Sequence, residues 1–419
     1  MYSIYLISSI VLLFSIYRQN RNALSPLIIY ISIWVFVVSL YTLKLIPYHD
    51  TLYITWLFII FSPITMWLGY TSMHVILPNK IYSHRKNYGR KVELRFILYL
   101  FGLLVVVRAL SVWLGIYAHY GSFSAAFTHG ADIYNLSRSG QWAPGIGFYI
   151  PAEYISMFFV GIYHRINGKV DGMVFIILLS TLMIHIALQS RFTLLMTFSL
   201  YFAAYVSANG FYMKIKFITI FKYLSVGIFL IVLISLSRDL ATNNAISGEW
   251  GDYGLTVLPS IYYYITNGIA GLNEYIRLGV DEHNTIYTLD PLLRFYSIFD
   301  TSIKVNIYES VTYNTPLPTI ISTWLKFLID DFGYIGTMLI LYVIGVIIRY
   351  SEFILKQKIS IFWISVYAHI FTLLLYSFFG YAFFIASFWY SFVVTSLIGL
   401  LMDGGILRNE LSRYLKKKG

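Results

Sequence analysis

The chain has 419 residues, of which 58% are hydrophobic and 12% charged, with no cysteine. Soluble domains carry roughly twice that charged fraction, so a protein of mean hydropathy +0.70 belongs in lipid, and the lack of thiols excludes disulfides, cysteine nucleophiles and cysteine-ligated metals. The net charge of +11 would suit nucleic acid only as a basic stripe on a surface domain; here it is spread over short loops, and no nucleic-acid partner is expected.

Apolar runs of about 20 residues, enough to cross a bilayer, recur from end to end. The first, MYSIYLISSIVLLFSIY, lacks a basic n-region and ends in RQNR rather than a small-residue cleavage site, so it reads as a retained span. Hydropathy gives about eleven spans, near 1 to 17, 24 to 43, 52 to 77, 96 to 118, 146 to 163, 170 to 188, 192 to 208, 218 to 236, 332 to 348, 359 to 379 and 381 to 402. The expected fold is therefore an all-α polytopic membrane protein. It divides into amino-terminal spans (1 to 236), one large loop (237 to 331), and carboxyl-terminal spans with a basic tail (332 to 419).

Arg18, Arg21, Lys80, Arg85, Lys86, Arg90, Lys91, Arg95, Arg165, Lys169, Lys214, Lys216, Lys222, Arg349, Lys356, Lys358 and the tail from Arg408 to Lys418 all fall on one side of this plan. The positive-inside rule makes that side cytoplasmic, with the amino terminus outside, the tail inside and membrane lipid around the spans. Two outside segments are long, 119 to 145 and 237 to 331, and loops of such length are commonly functional. Apolar stretches in the second, such as LTVLPSIYYYITNGIAG, predict short helices lying over the membrane mouth.

Arg138, Arg191, Arg238, Arg277 and Arg294 lie outside, where positive charge is normally depleted. A planar, permanently charged fork suits phosphate or carboxylate, and a lipid pyrophosphate fits; the plain alternative is that each pairs with an outside acid. Arg191, in LQSRFTLLM, is pinned between two spans at headgroup level. Arg108 sits within a span, where an ionisable group is costly and often functional, and Glu153 inside another span is its expected partner, for structure or for substrate. Asp281, Glu282 and His283 form the one dense titratable string of the large loop and are candidates for the general base that an attacking sugar hydroxyl requires, against a solvated turn. No HExxH, paired helical histidines or D-x-D on the outside face suggests a metal, and no Walker A loop or GxSxG suggests ATP or serine hydrolysis; no cofactor is expected. Aromatics reach 19%, which suits sugar stacking or reflects the codon bias of an AT-rich genome.

LQSRFTLLM resembles a small-residue-Ser-Arg signature that opens a span, IYYYITNGIAGLNEYI resembles the aromatic segment of a large outer loop, and TPLPTIISTWLKFLIDDFGYIGTMLILYVIGV resembles that loop's exit. Together with the overall plan they make the chain similar to the O-antigen and oligosaccharide repeat-unit polymerases, relatives of the O-antigen ligases. Where family members often carry Asn-Val-Tyr-Thr before the loop exit, this chain reads VTYNTPLP, which leaves the role of Tyr313 to Thr315 open. The resemblance implies a metal-independent, all-helical (GT-C-like) glycosyltransferase of the bacterial inner membrane. Such an enzyme moves a growing glycan from undecaprenyl pyrophosphate onto an incoming lipid-linked repeat, with a chain-length regulator protein as a further partner. An O-antigen ligase shares the donor and differs in acceptor; a polysaccharide flippase would have evenly short loops.

Overall fold

The computed structural model describes residues 2–20, 22–77, 91–139, 141–142, 150–208, 210, 257–279, 287–297, 299, 313–315, 318–319 and 321–404. Its helices are α1 (Tyr2–Asn20), α2 (Pro26–Thr42), α3 (Tyr53–Ile76), α4 (Lys91–Tyr120), α5 (Ala125–Thr128), α6 (Gly130–Ser139), α7 (Ile150–Asn167), α8 (Gly172–Ala187), α9 (Arg191–Ser207), α10 (Val257–Leu278), α11 (Asp290–Tyr296), α12 (Trp324–Gln357), α13 (Ile361–Leu375) and α14 (Ala386–Asp403). The only strands among the described residues are β1 (Tyr313–Asn314) and β2 (Pro318–Thr319), paired antiparallel with Tyr313 opposite Thr319. Each sequence-expected span within the described residues coincides with a helix; the one near 218 to 236 lies outside them.

Among the described residues four helical stretches are long and apolar enough to cross a membrane unaided, Tyr53–Ile76, Glu93–Tyr120, Trp324–Gln357 and Ala386–Asp403, and four shorter apolar helices accompany them. Leu103, Val107, Leu110 and Leu114 of α4 are exposed three or four residues apart, which places them on one helical face. An exposed leucine-rich stripe of that kind is at home against acyl chains, and the protein is membrane-embedded.

The chain divides into two compact units. Unit 1 comprises Met1–His84, Ile261–Lys358 and His369–Tyr390; unit 2 comprises Arg85–Ser260, Ile359–Ala368 and Ser391–Gly419.

In unit 1, α3 and α12 run parallel, because their contacts keep a nearly constant offset: the Phe58 and Tyr334 rings lie 5.0 Å apart near one end, and Arg349 Nη2 reaches His74 Nδ1 at 2.6 Å near the other. Glycines allow the close approach. A Cβ on Gly69 would stand 2.0 Å from the Tyr342 carbonyl oxygen, and one on Gly345 2.0 Å from that of Met66.

Within α12, Gly333 has φ 63° and ψ −176°, a region essentially reserved for glycine, and there the helix turns back on itself. Tyr334 packs beside Phe58 near the start of α3, yet Trp324 lies 5.8 Å from the ring of Tyr30. Tyr30 in turn contacts Ser62, one helical turn deeper along α3, through hydroxyls 2.8 Å apart. A straight helix would have carried Trp324 about 15 Å the other way. The first segment is thus re-entrant, and its residues Trp324 to Ile329 are all buried, as backbone at membrane depth requires.

The large loop also differs from expectation in that α10 is a 22-residue helix, not a short one. It lies across the connection between α2 and α3. Tyr262 donates to the Leu40 carbonyl, Tyr48 and Thr266 share a bond of 2.9 Å, Asn273 accepts from the Leu52 N–H at 2.8 Å, and Glu274 contacts His49 at 2.9 Å. Gly268 and Gly271 sit against the carbonyls of Phe378 and Ile321, so α10 is anchored on both sides and largely buried rather than merely resting on a surface.

In unit 2, α4 and α7 run antiparallel, as Arg108 meets Glu153 and Arg95 meets Tyr163. One end of this bundle carries Arg95, Tyr163 and Asp171. Asp171 caps α8 by accepting from the Val174 N–H at 3.1 Å, and Tyr163 donates to it at 2.8 Å. The opposite end, formed by the finish of α4 and α8 and the start of α7 and α9, carries the site described next.

Candidate functional site

The turn between α8 and α9 follows from helix-ending geometry. The Ser190 N–H bonds the His185 carbonyl at 3.1 Å and the Gln189 N–H bonds that of Ile186 at 3.3 Å, the pair of bonds that closes a helix when the next residue turns left-handed. Gln189 supplies that conformation at φ 51°, where glycine is usual, and the side chain compensates by donating to the Ala126 and Ile186 carbonyls at 3.2 and 3.0 Å. The chain is so delivered straight into α9, with Arg191 as its first residue. Ser190 makes no side-chain cap; its hydroxyl goes to Thr193 instead. A cation in the first turn opposes the helix dipole, and an anion bound at a helix start would offset that.

Beneath that turn lies a buried chain of three ionisable groups. Arg108 Nη1 stands 2.5 Å from Glu153 Oε1, and His185 Nε2 stands 3.2 Å from Glu153 Oε2; the side chains are 7%, 0% and 2% exposed, respectively. Glu153 belongs to the first turn of α7, where the dipole favours an anion, and His185 to the last turn of α8. Val105, Ala109, Ile184 and Leu188 form the apolar wall beside them. His185 Nδ1 is buried and has no hydrogen-bond partner among the described residues.

Around the rim of the same end, aromatic rings gather over a small core of Val112, Ile116, Ala125, Ala126, Ile133 and Ala187. His119 stacks on Trp142 at 4.5 Å, Tyr120 stacks on His129 at 5.0 Å, and Phe123 lies 4.9 Å from Tyr117. Tyr117, Phe123 and Phe127 are about half exposed. Arg138 lies in α6, the helix that follows this cluster.

Unit 1 treats its charges differently. Arg277 pairs with Glu274 at 3.6 Å and donates to the Asp50 carbonyl, and Arg294 pairs with Asp290 at 2.5 Å. Lys326, buried on the re-entrant segment, pairs with Asp330, which also accepts from the Tyr275 hydroxyl. The ammonium group lies over the rings of Tyr287, Phe327 and Tyr275 at 4.6, 4.9 and 5.3 Å. Asp331 accepts from the Tyr287 and Thr288 N–H groups and the Thr288 hydroxyl. For Arg277 and Arg294 the acid-pairing alternative describes the geometry.

Of the sequence-chosen residues, the structure thus brings Arg191, Arg108 and Glu153 to one end of unit 2 and leaves Arg277 and Arg294 in unit 1 as paired groups. Arg238, Asp281, Glu282 and His283 lie outside the described residues. Tyr313 sits in β1, and the Thr315 hydroxyl donates to Asn267 of α10, which gives Thr315 a part in holding the loop exit. Sequence reasoning missed His185, although an ionisable residue inside an apolar span was itself a signal. It also missed the Lys326–Asp330 pair, whose i, i+4 spacing was readable. Among the described residues no cluster of acids and histidines could hold a metal ion. Comparison of the chain with protein-family models, with curated proteins and with solved structures finds no match.

Proposed function

We propose that the chain is an extracytoplasmic polysaccharide polymerase of about eleven spans, with its amino terminus outside. It transfers a growing glycan from undecaprenyl pyrophosphate to an incoming lipid-linked repeat at the outer end of unit 2. The observation that carries this reading is the placement of Arg191 as the first residue of α9, directly after the turn that closes over the buried Arg108–Glu153–His185 chain.

Each part answers a need of the reaction. The leaving pyrophosphate gathers negative charge, and a guanidinium at a helix start is preorganised for it. The acceptor hydroxyl must lose a proton. Sugar rings stack on exposed aromatic faces, which Tyr117, Phe123 and Phe127 supply along the rim. The segments that resemble the family's large loop and loop exit pack together in unit 1, where Asn267 of α10 bonds Thr319 at 2.5 Å and Tyr275 bonds Asp330. There they build the scaffold rather than the chemistry.

Purified protein in vesicles, given lipid-linked repeat units, should lengthen them into a ladder. Arg191→Lys keeps the charge but loses the fork and should be impaired, and Arg191→Ala should fall by roughly 10² to 10³ in rate with normal insertion. Full-length polymer at the normal rate from Arg191→Ala would reduce Arg191 to a topological anchor. Transfer to a different acceptor without ladder formation would make the chain a ligase.

A further inference from the structure

Several groups in the described residues could accept a proton, and most are already committed. Asp331 accepts three hydrogen bonds, Asp330 is neutralised by Lys326 and held by Tyr275, Glu274 faces Arg277 and His49, and Asp290 faces Arg294. His49, His74 and His164 have their Nδ1 on Glu274, Arg349 and Tyr201, respectively.

His185 is different. It is 1% exposed, its Nε2 stands 3.2 Å from Glu153 Oε2 as an ion-pair approach without hydrogen-bond geometry, and its Nδ1 meets no protein partner among the described residues. An imidazole that faces a carboxylate through one nitrogen carries its proton there, so the other nitrogen presents a lone pair. A buried lone pair without a partner calls for an explanation, and a hydroxyl donor is the simplest group that would satisfy it.

We propose that His185 is the proton acceptor for the attacking sugar hydroxyl, with Glu153 and Arg108 as positioning residues behind it; this rests on the polymerase reading above. The three groups form a line in which each fixes the next: Arg108 from α4 holds Glu153, Glu153 from α7 holds the His185 ring from α8, and Nδ1 is left to react. That is the general logic of a base oriented by a third group. As the acceptor oxygen bonds to the anomeric carbon, the carbon–oxygen bond to the pyrophosphate breaks and its electron pair leaves with the phosphate. The hydroxyl proton passes to Nδ1. Glu153 stabilises the resulting imidazolium, and the proton is later returned to solvent or to the departing phosphate, so that no other reagent is consumed.

The left-handed Gln189 of the α8–α9 turn donates to the Ala126 carbonyl of α5 beside it. Placing Arg191 six residues beyond His185, across the same turn, sets the anion-binding group and the base at the same end of the bundle.

The test uses the whole protein in vesicles with lipid-linked repeat units. His185→Gln keeps an N–H for Glu153 but offers no base, and should lose about 10²-fold in extension rate with the KM for donor unchanged. His185→Ala should regain rate with added imidazole, more with the more basic 4-methylimidazole, and not with pyrazole, which has the same shape but is a far weaker base. Extension by His185→Gln within a few-fold of wild type overturns the proposal, as does equal rescue by pyrazole, which would mark a filled cavity. If His185→Ala does not insert, the glutamine variant decides alone. Absence of extension by wild type removes the polymerase reading and this inference with it, whereas extension by wild type and His185→Gln alike removes only the inference.

Discussion

The two units place ionisable groups at depth for opposite ends. In unit 1 the buried charge is closed: Lys326 is matched by Asp330, the tyrosine hydroxyl of residue 275 completes the carboxylate, and aromatic faces surround the ammonium group. In unit 2 the chain from Arg108 through Glu153 ends on an imidazole nitrogen that nothing in the described protein occupies. A closed network fixes a shape, and an open one is prepared to receive a ligand. Both are costly to bury, since each ion loses its hydration, so the open one has the stronger claim to function.

That contrast predicts different outcomes from the same surgery. Removing one partner of a buried pair typically costs about 3 to 5 kcal/mol, so Lys326→Met and Arg108→Met should each lower stability by amounts of that order in denaturation experiments. Removing both partners leaves no stranded charge. Lys326→Met with Asp330→Asn should therefore recover both stability and extension activity. Arg108→Met with Glu153→Gln should recover stability while extension stays depressed. Recovery of activity by the second double variant would erase the distinction between the units.

A smaller effect should come from the bend that makes the re-entrant segment. Gly333→Ala forces a side chain into a backbone region that costs about 1 to 3 kcal/mol, and should appear as a lowered Tm. No atom crowds that position, so the loss would be conformational rather than steric. An unchanged Tm would mean that the bend is not held at Gly333.

The smallest effect belongs to the other end of unit 2. Partial burial of Asp171 is outweighed by hydrogen bonds from the Val174 N–H and Tyr163 and by the nearby Arg95 charge, which hold its carboxyl below the usual range. A carboxyl lowered on folding stabilises the protein above its unfolded pKa, and that contribution is lost as pH falls through the folded value. Asp171→Ala should cost about 1 kcal/mol at neutral pH as a lost helix cap, and the difference from wild type should shrink on acidification. A difference that grows toward acid would contradict the assignment.

Much of this was legible in the sequence where one physical signal dominated. Hydropathy located the helices, because lipid acts on each segment locally. Arg108 and Glu153 were legible as partners because each stands out in an apolar span. The re-entrant segment was not, since Lys326, Asp330 and Asp331 break its hydropathy, and it enters the protein because Lys326 pairs with Asp330 and Asp331 is held by Tyr287 and Thr288. Gln189 was equally hidden, because a left-handed turn normally announces itself by glycine or asparagine. The pairing of Arg277 and Arg294 depends on which acids the fold brings within reach, at i−3 and i−4 in their own helices, and the sequence left that alternative open.

The central claim is that glycan extension takes place at the open end of unit 2. Its most direct test is the extension rate per folded molecule of Arg191→Ala set beside that of Lys326→Met with Asp330→Asn, in vesicles loaded with lipid-linked repeats. The account predicts that the unit 1 double variant lengthens the glycan at close to the wild-type rate, while Arg191→Ala, equally well folded, yields short product or none. A silent unit 1 variant beside an active Arg191→Ala would contradict it and move the chemistry to Lys326.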